Sequence, residues 1–181
     1  MAKVAVLLAE GFEEIEALTP VDVLRRADME VSILGLTDLE VTGSHGIKVV
    51  ADGVFGGDLS PYDLVILPGG MPGSTNLRDH TGLITALQSS YSSGKLLAAI
   101  CAAPIVLERA GFLADRQFTC YPGIENQIEA GHHQETAVVV DGQIITSRGA
   151  GTSLDFAYRL VDLLGGDGTS LAQSMVYKRK S

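Results

Sequence analysis

The chain has 181 residues, 46% of them hydrophobic, which suits one domain over residues 1–181 with a sizeable core. Its formal net charge of −9 repels a phosphate backbone and argues against nucleic acid as a partner. No apolar run approaches the ~18 residues of a membrane span, the start Met1-Ala2-Lys3 lacks a signal-peptide layout, and the two cysteines, Cys101 and Cys120, read as reduced thiols of a cytoplasmic protein.

Lys3 to Ala9 is almost wholly apolar and bounded by Gly11, the pattern of a strand covered on both faces. Glu13 to Ala27 reads as a helix, with Ile15, Leu18, Val21 and Leu24 at helical spacing; Pro20 inside it predicts a kink or a split. Strands follow at Val31 to Leu36 and, more briefly, at Ile47 to Val50. Leu64 to Leu67 is a further buried strand, closed by Pro68-Gly69-Gly70. Thr81 to Ser93 is helical, with Gly94 placed to end it. Leu96 to Ile100 is the next strand and Ala103 to Ala110 the next helix, stopped by Gly111. Val138 to Val140 and Ile144 to Thr146 flank Asp141-Gly142, a hairpin signal. Leu154 to Leu164 is a last amphipathic helix, and the basic Lys178-Arg179-Lys180 reads as a frayed tail. Alternating strands and helices predict a mostly parallel sheet with helices on both faces.

Ligands of such sheets gather beyond the carboxyl ends of the strands. Three of those ends carry distinctive residues: Glu10 to Glu16, Pro68-Gly69-Gly70 and Cys101-Ala102-Ala103. Cys101, with alanines two residues to either side, fits a nucleophile on a tight strand-to-helix elbow. A helix start there would lower its thiol pKa. On spacing alone, a small buried core cysteine fits as well. Gly69 and Gly70 bring bare backbone near the sulfur, and the Gly70 and Ala102 amides could form an oxyanion pocket. Glu13 and Glu14 read as complements of a helix dipole, whereas Glu16 is placed to turn inward toward Cys101, protonated by burial. His132-His133 reads as a solvated pair in a polar loop, and no HExxH, CxxC, G-x-G-x-x-G or Walker pattern supports a metal or nucleotide. Cys120, beside Tyr121-Pro122, suits a passive small residue better than a resolving thiol.

Four segments in this order, AVLLAEGFEEIEALTPVDVLRRA, YDLVILPGG, AAICAAP and TSRGAGTSLDFA, resemble the DJ-one branch of the ThiJ/PfpI superfamily over nearly the whole chain. The resemblance implies a flavodoxin-like three-layer α/β sandwich, a homodimer, and no metal or organic cofactor. It makes Cys101 the nucleophilic, oxidation-sensitive cysteine and Glu16 the carboxyl that hydrogen-bonds it. Gly69, Gly70 and Ala102 match the backbone around the sulfur, and Arg26 an arginine near the site rim and dimer contact. Two positions depart from the pattern. Tyr121-Pro122 stands where the branch often has histidine before proline, and His45 where some relatives have arginine; both bear on the substrate.

The function the resemblance implies is cofactor-free glyoxalase or deglycase chemistry on methylglyoxal-type aldehydes, a stress response at small reactive carbonyls. A non-catalytic redox sensor or chaperone working through a Cys101 sulfinate is the alternative. Cysteine peptidase or amidase activity ranks below both, because those relatives place histidine directly after the nucleophile and this chain has Ala102. A thiazole-biosynthesis role finds no supporting residue.

Overall fold

A computed structural model describes residues 1–179. In chain order it comprises β1 (Lys3–Leu8), α1 (Glu14–Arg26), β2 (Glu30–Gly35), β3 (Glu40–Thr42), β4 (Lys48–Val50), β5 (Gly53–Val54), β6 (Leu64–Leu67), α2 (Gly73–Asp79), α3 (Thr81–Ser92), β7 (Leu96–Ile100), α4 (Pro104–Ala110), β8 (Gln117–Phe118), β9 (His132–His133), β10 (Val138–Asp141), β11 (Ile144–Ser147), α5 (Ser153–Leu163) and α6 (Gly168–Ser174). Seven strands form one sheet in the order β10-β11-β7-β6-β1-β2-β5. All its pairings are parallel except the β10–β11 hairpin.

The strands β2-β1-β6-β7-β11 follow a 2-1-3-4-5 path, the flavodoxin-like order, whose switch point lies between β1 and β6. Two apolar layers enclose the sheet. One joins it to α2, α3 and α4 through residues such as Leu77, Leu87 and Leu107; the other joins it to α1, α5 and α6 through Leu24, Phe156 and Ala172. Strands β6 and β7 are buried on both faces, which explains their unbroken apolar sequences.

Several expectations are corrected. Pro20 neither splits α1 nor ends it; the helix runs unbroken from Glu14 to Arg26, packed along α5. Proline removes one helical N–H, but the buried apolar face of α1, with Ala17, Val21 and Leu24, outweighs that loss. The helix after the elbow starts at Pro104, not Ala103. His132-His133 is not a solvated loop: it is β9, paired in parallel with β8. The C-terminal segment is tied down at Arg179, which meets Asp162 at 3.0 Å, while Lys180 lies outside the described residues. None of the described helices is long and apolar enough to cross a membrane.

Candidate active site

The carboxyl ends of β1, β6 and β7 deliver their loops to the switch point. After β7 the chain turns at Cys101, which adopts φ +65°, a left-handed conformation that a non-glycine residue holds only under constraint. The constraint is visible on both sides of the residue. Cys101 N–H donates to the Ser147 carbonyl at 3.0 Å, and the Cys101 carbonyl accepts from Tyr121 N–H at 2.9 Å. The sulfur-bearing residue is half-buried and unpaired, as an accessible nucleophile requires.

Glu16 comes from the first turn of α1 and is almost fully buried, 1% exposed. Its Oε2 accepts the Gly69 N–H at 2.9 Å, and its carboxyl is hydrogen-bonded to Cys101. Gly69 therefore orients the acid rather than the sulfur. The backbone amides of Ala102 and Gly70 favour the charged form of the Cys101 sulfur. Glycine is required at both turn positions. A Cβ on Gly69 would lie 2.6 Å from Cys101 Cβ and 2.8 Å from the Ile100 carbonyl oxygen, and Gly70 holds φ +88°.

Burial raises the Glu16 pKa to about 7, against the hydrogen bonds from Cys101 and Gly69, with the Glu13 charge adding to the rise. The expected lowering of the Cys101 thiol is corrected. Burial pushes it upward, followed by the charge and hydrogen bond of Glu16, while the Ala102 and Gly70 amides pull it down. Helix α4 begins three residues beyond the sulfur, so isolated amides, not a helix terminus, are the stabilising dipoles. The two acids form one unit. When Glu16 is neutral, its charge no longer opposes the thiolate and its proton can be donated to sulfur.

The remaining expected residues divide. Tyr121 stands at the rim, 53% exposed, its ring beside Gly149. Gly149 is a site residue that the sequence reading passed over: its bare α-carbon lies between that ring and Glu16 Oε1, which are 3.4 and 4.0 Å from an ideal Cβ. The signal was present in the TSRGAGTSLDFA segment but pointed to no particular residue. His45 sits on the β3–β4 turn outside the cleft, with Nδ1 3.1 Å from Glu14 and 3.3 Å from Glu13. The Glu14 hydrogen bond, then the Glu13 and Glu14 charges, raise its pKa.

Glu14 is more than a dipole complement. Buried, it accepts the His45 N–H at 2.9 Å and the Ile47 N–H at 3.3 Å, anchoring the hairpin. Burial disfavours its charge, but these hydrogen bonds prevail and hold its carboxyl below the usual range. Arg26 is not brought to the site. It ends α1, ten residues and roughly 15 Å along the axis from Glu16, and pairs with Asp22 at 2.9 Å.

The chain as a whole has counterparts among known proteins. The DJ-1/PfpI family model matches residues 2–163. The Parkinson disease protein 7 homolog of Danio rerio is 39% identical over 167 residues, covering 89% of this chain and 88% of its own. Protein DJ-1 homolog B of Arabidopsis thaliana is also 39% identical, over 88% of this chain, which spans only 37% of that protein's length. The glutathione-independent glyoxalase DJR-1.2 of Caenorhabditis elegans is 34% identical over 87% of this chain and 85% of its own. Among solved structures, oxidized Toxoplasma gondii DJ-1 superposes with a TM-score of 0.91 at 35% identity, covering 99% of this chain and all of its own. The chain belongs to the DJ-1/PfpI family.

Proposed function

We propose that the protein is a cofactor-free enzyme of carbonyl stress, converting methylglyoxal-type α-oxoaldehydes to hydroxy acids, or releasing them from their adducts, through Cys101. The observation that carries this reading is the placement of Cys101 between the Glu16 carboxyl and the Gly70 and Ala102 amides. The Cys101 thiolate adds to the aldehyde carbon, forming a C–S bond, and the two amides hold the resulting oxyanion. Glu16 removes the proton from that carbon and returns it to the neighbouring former ketone carbon, leaving a thioester. Water then cleaves the C–S bond, releasing the hydroxy acid and restoring the thiolate. A Glu16 pKa of about 7 suits a group that must both take and give a proton near neutrality. The glyoxalase name of the Caenorhabditis relative supports the substrate class.

Chiral analysis of lactate formed from methylglyoxal tests the reading. Lactate should appear with the wild-type protein and vanish with Cys101→Ser. Equal yields from the two would reject it.

The buried acid beside sulfur also favours a second reading, a redox sensor in which Cys101 becomes a sulfinate that accepts a hydrogen bond from protonated Glu16. As partner we propose a second copy of this chain. An apolar cleft of about 430 Å³ runs along α1 beside Leu18, Leu154 and Met175, and Ile15 and Ile47 at its edge are 55% and 54% exposed. Light scattering on wild type and Ile47→Glu checks it, and a monomeric wild type would reject the pairing.

A further inference from the structure

A second cysteine site lies behind the first. Cys120 is fully buried and packs in the layer of α2, α3 and α4, whereas Cys101 packs against the opposite layer. Strand β8 carries the chain to Cys120, the following turn presents Glu125, and β9, paired with β8, presents His133. One ligand atom from each of these three residues lies within 4.8 Å of the other two. Cys120 Sγ is 3.8 Å from Glu125 Oε2, which also accepts the Gly123 N–H at 2.7 Å. His133 Nε2 is buried with no hydrogen-bond partner, and the ring is set by tilted packing on Phe118 at 5.5 Å.

We propose that Cys120, Glu125 and His133 form a binding site for a thiophilic divalent cation of the Zn²⁺ type. A thiolate, an imidazole and a carboxylate are the donors such ions select, and three protein ligands leave a fourth position for water. Bonds of ~2.0–2.3 Å put the ligand atoms of a tetrahedral site roughly 3.3–3.6 Å apart, so the cluster needs to contract by about 1.5 Å at most. His133 Nε2, buried and without a hydrogen-bond partner, is available to a metal. A buried, unsatisfied polar atom is costly to the fold, and a metal bond removes that cost.

The charges balance as well. Thiolate and carboxylate together neutralise a dication, although the nearby Arg148, whose charge also favours the thiolate, opposes it. On binding, the Cys120 S–H bond breaks, its proton goes to solvent, and a sulfur–metal bond forms. The ion would cross-link β8, the 124–127 turn and β9, a region held otherwise by strands of two residues each. The other cluster of this kind among the described residues, Glu13, Glu14 and His45, is exposed at the histidine and already satisfied by its own hydrogen bonds.

The test is a Co²⁺ titration of the metal-stripped full chain, followed by absorption spectroscopy. One equivalent should produce thiolate-to-cobalt charge transfer in the near ultraviolet and the intense visible bands of a four-coordinate ion. Cys101→Ser should keep both, Cys120→Ser should lose both, and His133→Ala and Glu125→Gln should each weaken binding more than about 10-fold, the least expected from outer-shell losses alone. Absent bands in the wild type, bands surviving in Cys120→Ser, or unchanged affinity in both other variants would overturn the site. Should Cys120→Ser not fold, Zn²⁺ must release about one proton per chain and protect Cys120 from alkylation in the Cys101→Ser background. Failure of either would overturn it equally.

Discussion

The Gly69 N–H donates to Glu16 Oε2 at 2.9 Å, so the turn after β6 fixes the acid that faces Cys101. The contact leaves no room for a side chain, because a methyl at residue 69 would meet Glu16 Oε2, Cys101 Cβ and the Ile100 carbonyl together. Gly69→Ala is therefore expected to destabilise the fold by about 1–3 kcal/mol through overpacking and to abolish turnover. Denaturant melts beside lactate assays check this. An active Gly69→Ala protein of wild-type stability would contradict the packing.

Glu16→Gln separates the acid's charge from its shape. The charge is among the causes that raise the Cys101 thiol, so its removal should lower the thiol pKa and speed alkylation at neutral pH by about 10-fold. Turnover should nevertheless fall by ~100-fold or more, since the proton shuttle is gone. Iodoacetamide kinetics against pH, run beside lactate production, distinguish the two effects. Slower alkylation together with slower turnover would mean that Glu16 activates the sulfur rather than the substrate.

The same acid gives the fold a pH dependence. Its pKa is about 7 in the folded protein against 4.5 unperturbed, so between those values the folded state binds more protons than the unfolded state. Stability from this group is therefore full below about pH 4.5, declines as pH rises, and is lost above about 7. At ~1.4 kcal/mol per pH unit, the loss is about 3 kcal/mol. Carboxylates held low, such as Asp63 and Glu14, act in the opposite sense at acid pH. The contribution is thus isolated as a difference: Glu16→Gln should gain stability over wild type from pH 5 to pH 8. A constant difference across that range would remove the burial argument.

Much of this site was legible because its parts lie at the ends of strands buried on both faces. The apolar runs ending before Glu10, Pro68 and Cys101 gave the register, and the small residues after them gave the turns. What escaped has physical reasons. Helix α2 opens with Gly73-Ser74-Thr75, has no apolar period, and is held by the close approach of Gly73 to Gly11 and Phe12. Strands β5, β8 and β9 are too short to show alternation. Arg26 was placed by resemblance, but the length of α1 carries it away from the sulfur. The direction of the Cys101 pKa depends first on burial and then on a carboxyl that arrives from helix α1, neither of which local spacing can report.

Tyr121 stands where the family resemblance implies a histidine. The phenol is exposed at the rim beside Gly149, close to the Cys101 backbone through its own N–H. A phenol can contribute position by hydrogen bonding, whereas an imidazole can also exchange a proton near neutrality. Tyr121→His is expected to raise kcat/KM for methylglyoxal by about 10-fold or more and to add an ionisation near neutrality to its pH profile. An unchanged rate and profile would show that the rim side chain takes no part in proton transfer.

Oxidation should choose between the two thiols by access. Both thiols are raised in pKa by burial, but Cys101 is partly exposed at the cleft while Cys120 is sealed in the core. Mild peroxide should therefore place two oxygens on Cys101 and none on Cys120, as peptide mass spectrometry would show. The sulfinate should persist because neutral Glu16 donates to it. Glu16→Asp, one methylene shorter, should lose that hydrogen bond and let oxidation run on to the sulfonate. Equal oxidation of both cysteines, or a sulfinate that persists equally in Glu16→Asp, would mean that neither burial nor the buried acid controls the redox chemistry of this fold.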